Sequence, residues 1–423
     1  MSQNFSTVEW AQGSNIYEVN IRQYTEEGSF AAFAKHLPRL KAMGVKILWL
    51  MPITPISQKV RQGSLGSYYA CSSYTSINPE FGTLKDFKDL VNESHRLGFK
   101  IIIDWVANHT GWDHHWTFEH ANWYVKNVSG GFTEINGWHD VIDLDFTEEA
   151  MRGAMVKAMQ YWVRECDIDG FRCDMAHLVP LDFWINARKQ CEEIKPLFWL
   201  AECDVPEYHQ AFDASYAWNW MHLSEMFSRG EASLNDIRNC LHNYSQYPNN
   251  AIKLYFTSNH DENSWNGTEI EKYGSLAKAW SVFSATWKGL PLVYSGQEIP
   301  NKKRLAFFDK DQINWSATLG MEQFYATLLH LCNNNKAVSE GETFILPSQN
   351  DDSLLAFMRR SGDDCILVIL NVSDKSRLKI QVSHGWLEGL FENAFSGLQF
   401  QFKPGEEFEL QGGEFILYKK VKR

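Results

Sequence analysis

The amino-acid sequence predicts an α/β fold: a closed (β/α)8 TIM barrel with a short subdomain inserted after strand 3 and a C-terminal all-β sandwich domain. Three features carry this expectation. Short apolar runs alternate with amphipathic stretches through about residue 335, one connection is far too long for a simple βα loop, and beyond about residue 338 the pattern changes to short alternating strands. A chain of 423 residues, 44% hydrophobic and 22% charged, can bury a large core and is neither disordered nor collagen-like in composition.

Eight runs read as barrel strands: 16–21, 45–52, 100–104, 170–174, 197–202, 212–217, 252–257 and 291–294. Several, such as Lys100-Ile-Ile-Ile-Asp104, are continuously apolar, as strands covered on both faces are. Between them helical periodicity covers 30–43, 84–97, 148–164, 181–194, 218 to about 244, 276–287 and 321–333. More than 40 residues, rich in Trp, His, Asn and Gly, separate Asp104 from the helix near Glu148. Structureless loops of that length are rare in a compact domain, so this segment reads as a small inserted unit. The segments LLAFMRR, CILVILNVS, RLKIQVS and EFILYKKV, separated by Gly, Asp and Asn, read as the C-terminal strands. The barrel is therefore expected over 1–109 and 146–337, the insert over 110–145 and the sandwich over 338–423.

The 17 Trp, 16 Tyr and 27 Phe make 14% of the chain. Bulky cores use such residues, and flat sugar rings also stack on them. With 40 Lys and Arg against 52 Asp and Glu the net charge is −12, which argues against nucleic acid or an anionic membrane as a partner and suits a neutral or cationic ligand. The opening MSQNFSTVEWAQGSNIYEV has neither a basic n-region nor an apolar h-region, and no run of 18 apolar residues occurs. Neither a signal peptide nor a membrane span is expected. Eight cysteines without a CxxC pair lie mostly in apolar segments, as reduced thiols of a cytoplasmic protein would; a leader already removed would leave secretion open. No feature of the sequence selects an oligomeric state.

In such a barrel, reactive groups belong at the C-terminal ends of the strands. Strand 3 ends in Asp104-Trp-Val-Ala-Asn108-His109, strand 4 in Arg172-Cys-Asp174, strand 5 in Ala201-Glu202 and strand 7 in Ser258-Asn259-His260-Asp261. Glu202 follows Asp174 by 28 residues, one βα unit, and Asp261 follows Glu202 by 59, about two units. Three carboxylates thus face one mouth. One alone would commonly be a helix cap or an ion-pair partner. Three together repel and raise one another's pKa, a cost that structure alone does not explain. One ionised and one protonated carboxyl is what cleavage of a glycosidic bond requires.

These residues carry a family resemblance. Asp104-x-x-x-Asn108-His109, Gly170-Phe-Arg172-x-Asp174, Ala201-Glu202 and Asn259-His260-Asp261 resemble the four ordered signature segments of the α-amylase family of glycoside hydrolases. The resemblance extends over nearly the whole chain, through Tyr17-Glu-Val-Asn20, Trp49-Leu-Met-Pro52, Asn78-Pro-Glu-Phe-Gly-Thr83 and Tyr294-Ser-Gly-Gln-Glu298. It implies a retaining glycosidase acting on α-glucosidic bonds, α-1,4 links in maltooligosaccharides or starch-like glucans first. Asp174 would be the nucleophile of a covalent glycosyl-enzyme. Glu202 would protonate the leaving oxygen and later activate water, and Asp261 would hold the sugar and favour its oxocarbenium-like transition state. Arg172, on the same strand face as Asp174, would orient that carboxylate and keep it ionised. Asp104, His109 and His260 would join the substrate-binding set, the two histidines as hydrogen-bond donors. Tyr69 would be the aromatic platform under the sugar, with Tyr68 the competing choice.

Departures limit the carry-over. Many members place Lys-His after the nucleophile where this chain has His177-Leu178, so contacts to the leaving-side sugars do not transfer. Asn108 and Asp143 match positions that hold structural calcium in some members, but no further oxygen ligands are evident; a metal-free site needing no cofactor is the preferred expectation. His114-His115 lacks a third ligand for zinc, and on an extended chain the two would point apart, so a loop contact is expected. Cys173 should face away from the mouth. Trp112, Trp116, Trp123 and Trp138 divide between folding the insert and lining a cleft. The rival readings are a transglycosylase or sugar isomerase on the same fold, and a non-catalytic sugar-binding subunit, which predicts a lost nucleophile or acid.

Overall fold

The computed structural model describes residues 5–299, 301–315, 320–403 and 405–422. Eight parallel strands close into a barrel: β1 (Ile16–Val19), β2 (Ile47–Leu50), β3 (Lys100–Trp105), β4 (Gly170–Cys173), β5 (Phe198–Ala201), β6 (Ala214–Tyr216), β7 (Ile252–Tyr255) and β8 (Leu290–Tyr294). Each pairs with its neighbour in sequence, and β8 closes on β1 with Tyr17 opposite Val293. All eight coincide with the expected runs. They are covered inside by packed side chains and outside by helices, which is why they read as unbroken apolar stretches. Gly170 is a close-approach glycine: a Cβ there would lie 2.0 Å from the Phe198 carbonyl oxygen, so only glycine lets β4 lie against β5 in this register.

Two expected helices are each two. The stretch 30–43 divides into Phe30–Ala34 and Leu37–Met43. Pro38 has no N–H to donate to the carbonyl four residues back and clashes with it, so it is tolerated only at the start of the second helix. The stretch 218–244 divides into Trp218–Ser228 and Leu234–Tyr244. Gly230 takes a left-handed conformation, and Ser233 with Asp236 forms a capping box that starts the second helix.

The insert is built on a short antiparallel pair, His109–Gly111 with Val141–Asp143, and a one-turn helix, Trp116–Glu119. Trp116 and Trp123 are buried in it. His114 makes the loop contact expected of it, but the two histidine rings do not take the expected directions. Residues 112–115 turn rather than extend, so the two rings stack at 4.5 Å instead of pointing apart. His114 Nδ1 accepts the Trp116 N–H, and burial pushes its pKa down to about 2.

The C-terminal strands are β9 (Glu342–Ile345), β10 (Leu354–Ser361), β11 (Asp364–Asn371), β12 (Leu378–Val382), β13 (Gly389–Asn393), β14 (Gln399–Phe402), β15 (Glu406–Leu410) and β16 (Phe415–Lys420). Six form an antiparallel sheet in the order β9-β10-β11-β16-β13-β14, and β12 pairs with β15 in a second, two-stranded layer. Strand alternation then covers both faces. Leu355, Phe357, Ile366, Val368 and Leu370 join the barrel's core, while Met358, Leu367 and Ile369 pack on Ile380, Val382 and Leu410 of the second layer. All eight cysteines are buried free thiols, Cys173 among them, and none of the described helices is long and apolar enough to cross a membrane.

Candidate active site

Arg172 organises the mouth of the barrel. It leaves β4 two residues before Asp174, fully buried. Its Nη1 donates to Asp104 Oδ1 at 2.8 Å and to Asp174 Oδ1 at 3.0 Å, and its Nε donates to the Tyr216 hydroxyl at 3.2 Å. Nη2 lies 2.8 Å from Glu202 Oε2, a charge contact not aligned as a hydrogen bond. The Trp49 ring packs against the guanidinium at 4.9 Å while its indole N–H donates to Asp104 Oδ2 at 3.1 Å. One cation is thus shared by three buried carboxylates.

That ratio sets the charge states. Burial raises the pKa of Glu202, Arg172 opposes it, and Asp174 and Asp261 add repulsion, leaving it at about 7. Burial likewise raises Asp174 against the pull of Arg172, with Asp104 and Asp261 repelling, to about 6. Near neutral pH the two groups therefore differ in the sense a nucleophile and an acid need, Asp174 ionised and Glu202 partly protonated. Met175 adds a directed contact. It adopts a left-handed conformation, φ 39°, rare for a non-glycine residue, and its backbone N–H donates to Glu202 Oε2 at 2.8 Å.

The second organising group is His260. Its Nδ1 lies 2.5 Å from Glu18 Oε1, and its Nε2 lies 3.2 Å from Asp261 Oδ2 and 2.7 Å from the Tyr69 hydroxyl. Burial pushes Asp261 upward, but His260, helped by Arg172, brings it below the usual carboxylate range. Tyr69 donates to Asp104 Oδ2 at 3.2 Å, which ties the two organising groups together.

A cleft of about 240 Å³ opens over these groups, lined by Tyr69, His109, Trp138, Asp174, Glu202 and Asp261 together with Trp265, Phe307 and Phe308. Three larger hollows, of about 420, 520 and 580 Å³, contain none of Asp174, Glu202 and Asp261; chemistry rather than volume marks the site. The eight residues expected from the sequence converge here, in two layers. Tyr69, His109, Asp174, Glu202 and Asp261 face the cleft, whereas Asp104, Arg172 and His260 stand behind it as supports. The structure separates the two tyrosines: Tyr69 faces the cleft, and Tyr68 is buried under the Arg22 guanidinium at 4.2 Å.

His109 is neutral, its pKa lowered by burial to about 4. Asn108 Nδ2 lies 3.2 Å from its Nδ1 and can only donate, so Nδ1 accepts and Nε2 carries the proton. Asn108 also donates to Asp143 Oδ1 at 3.3 Å, and the Ile135 N–H occupies Asp143 Oδ2 at 3.0 Å. Asn108 and Asp143, the two positions that match calcium ligands in some members, thus bond to each other through the Asn108 amide N–H, and among the described residues there is no group of three His, Cys, Asp or Glu arranged to hold a metal ion. His177 is exposed on a 3-10 turn, Ala176–Leu178, away from the lining.

Of the insert tryptophans, Trp116 and Trp123 fold the insert while Trp138 lines the cleft, 5.3 Å from the His109 ring. The other wall went unread in the sequence. Opposite, Phe307 lies parallel to Tyr69 at 6.2 Å and packs on Trp265 at 5.4 Å, extending the aromatic surface outward. The adjacent Phe307-Phe308 in a polar loop was the available signal. Asp140, 4% exposed, also lines the cleft, with one carboxylate oxygen unpartnered.

The family model for the alpha amylase catalytic domain matches residues 11–129 and 117–336, most of the chain. The chain belongs to the alpha-amylase family. Among curated proteins it is similar to the alpha-amylase MalA of Haloarcula japonica, 25% identical over 86% of this chain and 56% of that protein. A maltogenic alpha-amylase of Bacillus acidopullulyticus is 24% identical over 92% and 70%. The chain therefore spans little more than half of the first of these relatives. Among solved structures, the noncanonic maltogenic alpha-amylase AmyB of Thermotoga neapolitana superposes with a TM-score of 0.89 at 30% identity, covering 97% of this chain and 99% of that one. An alpha-amylase of Lactobacillus plantarum gives 0.88 at 28%, covering 97% and 100%. Fold and membership together make this an alpha-amylase-family glycosidase.

Proposed function

We propose that the protein hydrolyses α-glucosidic bonds with retention, α-1,4 links of maltooligosaccharides or starch-like glucans being its substrates. The observation that carries this reading is one buried arginine shared by three carboxylates, with Glu202 held higher in pKa than Asp174. Asp174 attacks the anomeric carbon while Glu202 gives its proton to the leaving oxygen, so a C–O bond to the enzyme forms as the glycosidic bond breaks. Glu202, now ionised, takes a proton from water; the water attacks the same carbon and Asp174 leaves. Tyr69 supplies a ring under the sugar, His109 an N–H donor, and Asp261 a charge that stabilises the cationic transition state.

The maltogenic names of the Bacillus and Thermotoga relatives support maltooligosaccharides as substrates. The steps above take the nucleophile, the acid and the base from the chain's own side chains and so need no metal or cofactor, and eight buried thiols support a reducing, cytoplasmic setting. The test is incubation with maltoheptaose, isomaltose, trehalose and sucrose, with products resolved by chromatography. Shorter maltooligosaccharides from maltoheptaose are expected. Longer products or isomers in place of net hydrolysis would assign a transglycosylase or isomerase, and no turnover of any sugar would leave only the binding subunit.

A further inference from the structure

Glu18 is a fully buried carboxylate on β1, a strand from which the mechanism above takes nothing. Its Oε1 lies 2.5 Å from His260 Nδ1, and its Oε2 is buried without any hydrogen-bond partner. An acid in such a place is destabilising unless something uses its charge.

The hydrogens around His260 can be counted. The single hydrogen of the Tyr69 hydroxyl is spent on Asp104 Oδ2, so the tyrosine oxygen 2.7 Å from His260 Nε2 must accept. Asp261 Oδ2, 3.2 Å from the same nitrogen, is an acceptor too. Nε2 therefore carries a proton. A neutral imidazole with that proton would set an Nδ1 lone pair against the Glu18 carboxylate, so a second proton sits between Nδ1 and Glu18; burial raises Glu18 and draws that proton toward the carboxyl, while the His260 and Arg172 charges oppose it and Asp261 on Nε2 holds it on the ring. The charged groups nearest the ring are Glu18 from β1, Asp104 from β3, Arg172 from β4 and Asp261 beyond β7, with Tyr69, Trp49 and Phe307 forming its ring contacts.

We propose that Glu18 is a positioning residue for glycosidic cleavage: it holds His260 protonated on both ring nitrogens, so that Nε2–H stays on Tyr69 and Asp261 and fixes the platform and the transition-state carboxylate together. The inference rests on the function proposed above. Burial works against the imidazolium, but Asp261 and Glu18 on its two nitrogens hold its pKa well above the ordinary value, in line with the geometry. A carboxylate that orients a functional histidine through its far nitrogen is a recurrent device, and its removal costs about 10- to 100-fold where it supports a metal ligand.

The test is nitrogen-15 NMR of histidine-labelled protein, with His260 assigned from a His260→Gln sample, on the parent and on Glu18→Gln, which keeps the shape and removes the charge. In the parent, His260 should show two protonated nitrogens through pH 8; in Glu18→Gln it should be neutral by pH 8. The variant's kcat on maltoheptaose should fall about 10- to 100-fold, with KM changed less, and its alkaline limb should steepen from one proton lost to two. A neutral His260 in the parent at pH 7 would overturn the proposal without reference to any variant. So would a Glu18→Gln protein that keeps the doubly protonated ring and the parent's pH profile and loses only melting temperature. The NMR arm needs no turnover, so it separates failure of this link from failure of the glycosidase reading.

Discussion

Strand β4 has an aspartate at each end, and the two are treated oppositely. Asp169, just before the strand, receives His95 at 2.6 Å, Lys100 at 3.1 Å, Lys195 at 3.4 Å and the Ile101 N–H at 2.9 Å. These partners hold its pKa below the usual carboxylate range although burial opposes them. Asp174, just after the strand, has a third share of one arginine and is pushed up to about 6. The N-terminal end of the barrel surrounds a carboxylate with two lysines, a histidine and a backbone N–H, and the C-terminal end divides one cation among several carboxylates. The first arrangement stabilises the fold; the second keeps charge available for reaction, as expected of the two faces of such a barrel.

Exchanging the two ends' fates gives the largest effect. Asp174→Ala should lower kcat by about 10⁴-fold or more, while Asp169→Ala should keep kcat within about threefold and lose about 3 kcal/mol of stability in urea titrations. Asp174→Asn should melt at or above the parent temperature, because a repelled charge is removed.

The pH dependences should also part. Asp174 must be ionised and Glu202 protonated, so kcat/KM should rise through an apparent pKa near 6 and fall through one near 7, both belonging to the coupled pair. Asp169 has a lowered folded pKa, so its contribution is complete above the ordinary carboxylate value and lost as pH falls through the folded one. Asp174 has the opposite sign: ionising it costs stability as pH rises from about 4 to about 6. Thermal melts of Asp169→Asn and Asp174→Asn should therefore meet the parent at the acid end and part from it in opposite directions as pH rises to 7, Asp169→Asn falling below the parent from about pH 4 and Asp174→Asn rising above it by about pH 6.

A smaller effect concerns the walls. Phe307→Ala should raise KM for maltoheptaose roughly fivefold with kcat nearly unchanged, about 1 kcal/mol of ring stacking. Asp140→Asn should change KM less than that, within about threefold, because its unpartnered oxygen is buried in the cleft wall and not presented to the sugar.

What could be read from the sequence follows the same division. The floor was legible because Asp104, Arg172, Asp174, Glu202 and Asp261 sit on or just after strands, where barrel spacing fixes their direction. Trp265 and Phe307 were not, because loops without a period do not say where a ring points. Glu18 reads as an ordinary strand residue until its partner across the barrel is known. Strands β9, β13, β14 and β15 went unassigned because their faces are largely half-buried or exposed, although Gln399-Phe-Gln-Phe402 does alternate. The split at Pro38 was available from the chemistry of proline alone.

The central claim is that Asp174 and Glu202 act as nucleophile and acid from one shared arginine. Its most direct test is proton NMR of maltoheptaose during the first minutes of hydrolysis, before the products mutarotate. New reducing ends should appear as the α-anomer, the configuration of the bond that was cut. Initial appearance of the β-anomer would contradict a covalent intermediate on Asp174.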